Sequence, residues 1–302
     1  MLIRRALTAL AAVAALVVTG AATEVGTAPL RVVSINLCTD QLAMTLAAPG
    51  QLVSVSSLAQ DPRTSLMADR AAAFPANHGR AEEIYLLRPD LVLASSFTTP
   101  ATLSMLRRLG VPVATFEPET SLDGVTRSIL QMGQALGREA EAHDMAARFR
   151  GDLAALRAQG GAGPLAATWA ANGYMTGTET LSADVLRAAG FDLVAERLGM
   201  RFGASIPLES LLMTDPDAVV TGPPDGPPDG APDGAPARAD DVVRHPALAR
   251  SRAARIEVDD REWICGLPQV LAAARDLKDA REGLERGSGG LPPDAAAKGP
   301  IP

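Results

Sequence analysis

The residues best able to hold a metal or attack a substrate are two cysteines, Cys38 and Cys265, and three histidines, His78, His143 and His245. The histidines are widely separated and no two share ligand spacing, so no dedicated metal site and no resident cofactor are expected. The sequence holds no Gly-x-Ser-x-Gly elbow, no His-Glu-x-x-His pair, no Cys-x-x-Cys and no phosphate loop. Gly160-Gly161-Ala162-Gly163 precedes a predicted strand, whereas a dinucleotide fingerprint follows one and opens a helix. No catalytic residues emerge. The cysteines leave three states open: a disulfide, free thiols facing a bound metal complex, or unrelated buried thiols. A bridge would clamp any crevice between the two halves of the chain.

Positioning those residues requires a core, and 302 residues with 47% hydrophobic content supply one. A net charge of −7 argues against nucleic acid and against an anionic membrane surface as partner. Residues 1–22 read as a signal peptide. Arg4 and Arg5 precede the apolar run Ala6 to Val18 and the small residues Thr19-Gly20-Ala21-Ala22. The run is shorter than the ~20 residues that span a bilayer, and no cysteine follows it to carry lipid, so no direct membrane anchor is expected. Export to a periplasm is.

The predicted elements alternate. Strands at Arg31–Asn36, Leu52–Ser56, Leu91–Ala94 and Val111–Phe116 are separated by helices at Thr39–Ala47, Ala81–Leu87 and from Pro100 to near Leu109. Two helices follow, Leu122–Leu136 and Arg138–Gln159. The order then restarts with the strand Leu165–Ala170, the helix Ala183–Ala189, the strand Arg255–Val258 and the helix Pro268–Glu285. Alternation of this kind predicts parallel sheets covered by helices.

The chain also repeats itself. Glu82, Ile84, Pro89, Asp90 and Val92 match Glu209, Leu211, Pro216, Asp217 and Val219 in spacing, and Leu46 to Val53 matches Leu186 to Val194. The expected fold is therefore α/β with two related lobes. A first lobe is expected over 29–120, connecting helices over 121–160 and a second lobe over 161–286. Residues 222–240 are read as a flexible Pro/Gly/Asp insertion and 287–302 as a disordered tail. In the helix Arg138–Gln159, the apolar stripe Ala142, Met145, Phe149, Leu153 and Leu156 should be buried against both lobes.

Ligands of open α/β sheets sit outside the carboxyl ends of the strands. Of ten aromatic residues, Phe97, Phe116, Trp169, Tyr174 and Trp263 fall at or just beyond such ends, where they could stack on a large ligand. His78 lies in a loop of the same kind.

The segments RVVSINLCTDQLAMTLAAPGQLVSVS, AEEIYLLRPDLVLASS, RRLGVPVATFEP, ANGYMTGTETL, IPLESLLMTDPDAVV, HPAL and EWICGLP resemble the class III periplasmic binding proteins. These are receptors for vitamin B12 and ferric siderophores that feed ABC importers. The resemblance covers nearly the whole chain after residue 22. It implies two Rossmann-like lobes joined by a single long backbone helix, a ligand cleft between them and a metal chelate (siderophore, cobalamin or haem) as ligand. The implied partners are an ABC permease and its ATPase, and a monomer is expected. It also implies cleft contacts from the loop Leu37-Cys38-Thr39, from Phe97 and from Trp263, with Cys265 nearby, and lets Arg80 meet an anionic chelate. Permease-docking glutamates of the vitamin B12 receptors have no counterpart at Ser96 to Thr102, which contains no acid. Two other readings use the same cleft, a secreted two-lobe enzyme and a sensory ligand-binding protein.

Overall fold

The structure is a computed structural model and describes residues 28–157, 163–223 and 243–286. The segment read as a signal peptide (1–22), nearly all of the 222–240 insertion and the 287–302 tail lie outside those residues.

Short β-branched runs punctuated by Gly and Pro-Asp turns build the first sheet. Its strands are β1 (Val32–Ser34), β2 (Leu52–Ser56), β3 (Ala76–Asn77), β4 (Leu91–Ser95) and β5 (Val113–Phe116). They are parallel, in the order β3-β2-β1-β4-β5. The intervening helices are α1 (Leu37–Leu46), α2 (Ala68–Ala71), α3 (Ala81–Leu86) and α4 (Pro100–Arg108). Asn36 caps α1 by accepting from the N–H groups of Cys38 and Thr39, and Thr99 caps α4 ahead of Pro100. Sequence reading placed β1, β2, β4, β5, α1, α3 and α4 within a few residues but missed α2 and treated the region of β3 as loop, because four and two residues carry no periodicity.

A second set of elements comprises β6 (Leu165–Thr168), β7 (Tyr174–Met175), β8 (Asp192–Leu193), β9 (Ala204–Ser205), β10 (Ala218–Thr221) and β11 (Ala254–Glu257). The strands β11-β10-β6-β8 form a parallel sheet, while β7 and β9 pair antiparallel beside it. The helices are α7 (Leu181–Ala188), α8 (Val194–Arg197), α9 (Leu208–Leu212), α10 (Pro246–Ala249), α11 (Asp260–Trp263) and α12 (Val270–Glu285). Between the two sets run α5 (Leu122–Leu136) and α6 (Glu139–Arg157).

The repeat in the sequence is a repeat in the fold. The order β2-β1-β4-β5 in one sheet corresponds to β8-β6-β10-β11 in the other. Each Pro-Asp turn does the same work at the entry to a central strand. Asp90 Oδ2 accepts from the N–H groups of Leu30 (3.0 Å) and Arg31 (2.9 Å) ahead of β1, and Asp217 Oδ2 accepts from the Leu165 N–H (2.7 Å) that opens β6. The residue before each proline is left-handed, Arg88 at φ 48° and Asp215 at φ 47°. A carboxylate is suited to this position because the first N–H of a strand has no ladder partner.

The connection between lobes is a hairpin of helices. Ser121 caps α5, Gly137 ends it in the left-handed conformation, and α6 turns back along it. Leu122, Val125, Ile129, Met132 and Leu136 of α5 are all 0% exposed. Its first N–H is accepted by Asp184 of α7 (2.8 Å), and its last carbonyl accepts from Gln51 beside β2 (2.8 Å), so each end belongs to a different lobe. The stripe of α6 is buried at Ala142, Ala146, Phe149, Leu153 and Leu156, with Met145 half-buried. It packs on α5 and on α7 and α12 of the second lobe. It reaches the first lobe through α5 and through Arg138, whose Nε donates to the Leu46 carbonyl (3.4 Å). The stripe expected to lie against both lobes thus packs on α5 and the second lobe, and α5 is the helix whose two ends are tied to different lobes.

The shared role of the two Pro-Asp turns predicts matched losses. Asp90→Ala should lower stability by about 1–2 kcal/mol and Asp217→Ala by about 1 kcal/mol, the difference reflecting two hydrogen bonds against one. Urea unfolding of the two variants and the parent chain measures both.

Candidate functional site

The carboxyl edges of the two sheets meet across one crossing segment, Asp259 to Gly266, which follows β11. A disulfide joins Cys38, in the first turn of α1, to Cys265, with Cα atoms 5.2 Å apart and a sequence separation of 227. Of the three states the sequence left open for these cysteines, the bridge is the one found. Arg261 Nη1 donates to the Pro62 carbonyl of the first lobe at 2.6 Å. Gly266 lies so close to the first lobe's edge that a Cβ there would stand 2.6 Å from Glu119 Cβ. Asp259 grips Arg261 through both carboxylate oxygens, and these hydrogen bonds outweigh the opposing effect of partial burial and hold its carboxyl below the usual range. This segment forms the floor of the cleft.

Above the floor, exposed aromatics stand at both edges. Phe97, after β4, is 83% exposed. On the second lobe Tyr174 is 43% exposed and Phe202 65%. Tyr174 lies over Gly203, where a Cβ would fall 1.9 Å from its hydroxyl oxygen, so the glycine makes the contact possible. Arg201 sits over the Phe202 ring at 5.4 Å from the centroid and is fixed by Glu179 at 2.7 and 3.1 Å. Sequence reading missed Phe202 because β9 is only two residues long and gives no strand signal. Gly203 after an aromatic residue was the available clue.

A cavity of about 350 Å³ opens at the carboxyl edge of the second sheet, lined by Trp169, Thr221, Arg244, Arg255, Glu257 and Asp260 among others. Two cations and two anions balance there. The cavity therefore offers both donors and acceptors without a dominant charge.

Several residues singled out from the sequence lie deeper than expected. Phe116, Trp169 and Trp263 belong to the hydrophobic core. Trp263 is 9% exposed and donates from Nε1 to Asp260 Oδ1 (3.0 Å), and Trp169 reaches only the wall of the cavity. Their large apolar surfaces are satisfied by packing, so free stacking faces come from Phe97, Tyr174 and Phe202 instead. Leu37 and Thr39 are also buried, and the Thr39 hydroxyl bonds to Ser34 Oγ (2.8 Å) and the Asn36 carbonyl (3.0 Å). Of that loop, Cys38 alone is half-buried. His78 is exposed after β3 and pairs with Glu83 at 3.2 Å, while Arg80 is exposed at the N-cap of α3. Among the described residues no group of three His, Cys, Asp or Glu side chains is placed to hold a metal ion, and no helix is long and apolar enough to cross a membrane.

Two parallel sheets with facing carboxyl edges, a helical connection and an aromatic-rimmed cleft define a two-lobed ligand-binding protein. The chain belongs to the periplasmic binding protein family, whose pattern matches residues 32–256. A cobalamin-binding protein of Halobacterium salinarum is 28% identical over 199 residues, 64% of this chain and 54% of that protein. The chain thus spans about half the length of the curated relatives it matches. Among solved structures, a periplasmic heme-binding protein of Roseiflexus sp. RS-1 in apo form shares 23% identity, with a TM-score of 0.66 over 85% of this chain and 98% of that one. A periplasmic vitamin B12 binding protein of Vibrio cholerae shares 17%, with a TM-score of 0.64 over the same proportions. At these identities the likeness is one of fold.

Beneath the floor, Asp40 of α1 is 0% exposed. Burial pushes its carboxyl up from 3.8 to about 6, against the opposing pull of hydrogen bonds from Ser34 and Ser56. Because the folded value lies above the unfolded one, the folded state holds the proton more tightly. Stability is greatest below about pH 4 for this group and is lost as pH rises through about 6. Lowering pH from 7 to 5 should therefore stabilise the parent chain by about 1 kcal/mol more than an Asp40→Asn variant, read from urea midpoints at the two pH values.

Proposed function

We propose that this protein is a periplasmic receptor that captures a metal chelate between its lobes and delivers it to an ABC importer without chemical change. The observation that carries the reading is that Phe97 after β4 of one lobe, and Tyr174 and Phe202 of the other, are large rings left exposed on the surface. All three are exposed above a floor where the lobes are joined covalently. Large apolar rings left exposed on opposite edges of a cleft suit a bulky ligand with flat apolar faces. The charge-balanced cavity under Trp169 suits polar side arms of either sign. Family membership and the relatives, a cobalamin-binding, a heme-binding and a vitamin B12 binding protein, support the same class of ligand.

Binding is the whole task in this reading. The family is one of binding proteins, and no nucleophile with an adjoining base stands in the cleft among the described residues. The lobes are held by α5, α6 and the crossing segment, so capture proceeds with small lobe movements rather than wide hinge closure. The protein acts as a monomer that meets the permease through exposed surface on both lobes. His78 and Arg80, at the far edge of the first sheet, serve a ligand only if it extends past β2.

Tryptophan emission followed against hemin, cyanocobalamin and a ferric hydroxamate tests the proposal. At least one of the three should quench saturably with one ligand per chain. Phe97→Ala and Tyr174→Ala should each raise its Kd about tenfold, the loss expected for a buried aromatic contact. A flat response to the whole panel sinks the chelate reading.

A further inference from the structure

We propose that the Cys38–Cys265 bridge is a reducible latch. A dithiol opens it, frees the crossing segment 259–266 from the first lobe and loosens the grip on the ligand. Only the last clause rests on the chelate-receptor reading.

The surroundings of the bridge favour its reduced products at both sulfurs. Cys38 is half-buried whereas Cys265 is 1% exposed, so an incoming thiolate reaches the Cys38 sulfur. Attack there forms a mixed disulfide at Cys38. It breaks the Sγ–Sγ bond, and the electron pair leaves on Cys265. Gln41 Nε2 donates to that sulfur at 3.8 Å from a side chain that is itself 0% exposed, so the leaving thiolate meets a buried donor rather than apolar walls alone. The other end of the same amide, Gln41 Oε1, is buried without a hydrogen-bond partner. An unmet buried acceptor is costly. A disulfide sulfur has no proton to offer it, whereas a Cys265 thiol has an S–H.

The reductant's second thiolate then attacks its own sulfur in the mixed disulfide and releases Cys38. That thiolate sits in the first turn of a 10-residue helix, at the positive end of the α1 dipole. In sum the dithiol becomes a disulfide, and its two electrons and two protons pass to the two cysteines. Besides the packing of Trp263 in the core, what remains between the segment and the first lobe is the Arg261 bond to the Pro62 carbonyl and the contact of Gly266 with Glu119. Cutting the covalent tie therefore acts on this segment first.

Equilibration of the intact protein in mixtures of reduced and oxidised dithiothreitol, followed by acid quench, alkylation and mass measurement, reads the bridge directly. It should be more than half reduced even where the oxidised form is in about tenfold excess, and a bridge still mostly oxidised at equal amounts of the two forms overturns the proposal. A Gln41→Leu variant should need about threefold more reductant for the same reduction, and an unchanged midpoint removes Gln41 from the device. On reduction, the amides of 57–63 and 259–266 should exchange hydrogen about tenfold faster, and a Cys38→Ser/Cys265→Ser variant should match that rate without reductant. Unchanged exchange in both rules out a latch. Hemin, cyanocobalamin and the ferric hydroxamate are then titrated against the parent and the double-serine variant. Whichever binds the parent should bind the variant about tenfold more weakly, and equal affinity overturns the claim on ligand grip. If none of the three binds the parent, the receptor reading falls, while the reduction midpoint and the exchange rates still decide the latch.

Discussion

The two lobes do not have separate cores. One continuous hydrophobic cluster runs from Val32, Leu42 and Leu93 of the first lobe through the buried face of α5 and the stripe of α6 to Trp169, Leu186 and Leu277 of the second. Every other feature depends on that continuity. Interiors packed at crystal-like density deform little, so a core shared by both sheets resists any change in the angle between them. A second, smaller cluster on the opposite face of the first sheet, around Ile84, Val92 and Leu106, belongs to that lobe alone. The cleft is thus closed off at the back by apolar packing and at the floor by a covalent bond, with only its rims free to respond to a ligand.

The floor has a polar underside that apolar packing alone would not require. Ser34, Thr39, Asp40, Ser54, Ser56 and Asn77 are buried where β1, β2 and β3 end. Asn77 Nδ2 donates to the Ser34 carbonyl and to Ser54 Oγ at 2.9 Å each, and Asp40 accepts from Ser56 N–H at 3.2 Å. Buried polar groups joined in this way fix one arrangement of the loops they support, because any other leaves members unpaired. The loops in question carry Cys38 and Pro62, the first-lobe ends of the two ties to the crossing segment.

How far the sequence anticipates this structure follows from how physical signals are stored in it. Parallel sheets were legible because Leu91–Ser95 and Ala218–Thr221 are unbroken apolar runs, each introduced by the same Pro-Asp turn. The two connecting helices were legible because their apolar spacing persists over 15 and 19 residues, whereas their packing as a hairpin was not. Family membership rested on several such segments at once. Side-chain exposure was not legible. Trp169 follows β6 and Trp263 follows β11 by way of α11, as Phe97 follows β4, yet the first two are covered by tertiary neighbours that no local pattern encodes. Phe202 was missed for the converse reason, lying in an irregular stretch whose contacts with Gly177 and Tyr174 come entirely from the fold.

The position of the bridge has a consequence for how the molecule is made. Cys38 is synthesised 227 residues before Cys265, so it waits through production of both sheets and the helix pair before a partner exists. The sequence holds only these two cysteines, so no incorrect pairing within the chain can trap it. Closing so long a loop in an unstructured chain would be entropically costly, on the order of 5 kcal/mol. Once the shared core has folded, the two Cα atoms already stand 5.2 Å apart. Oxidation is then the last step of assembly, and a chain that carries the bridge is one whose two halves have already docked.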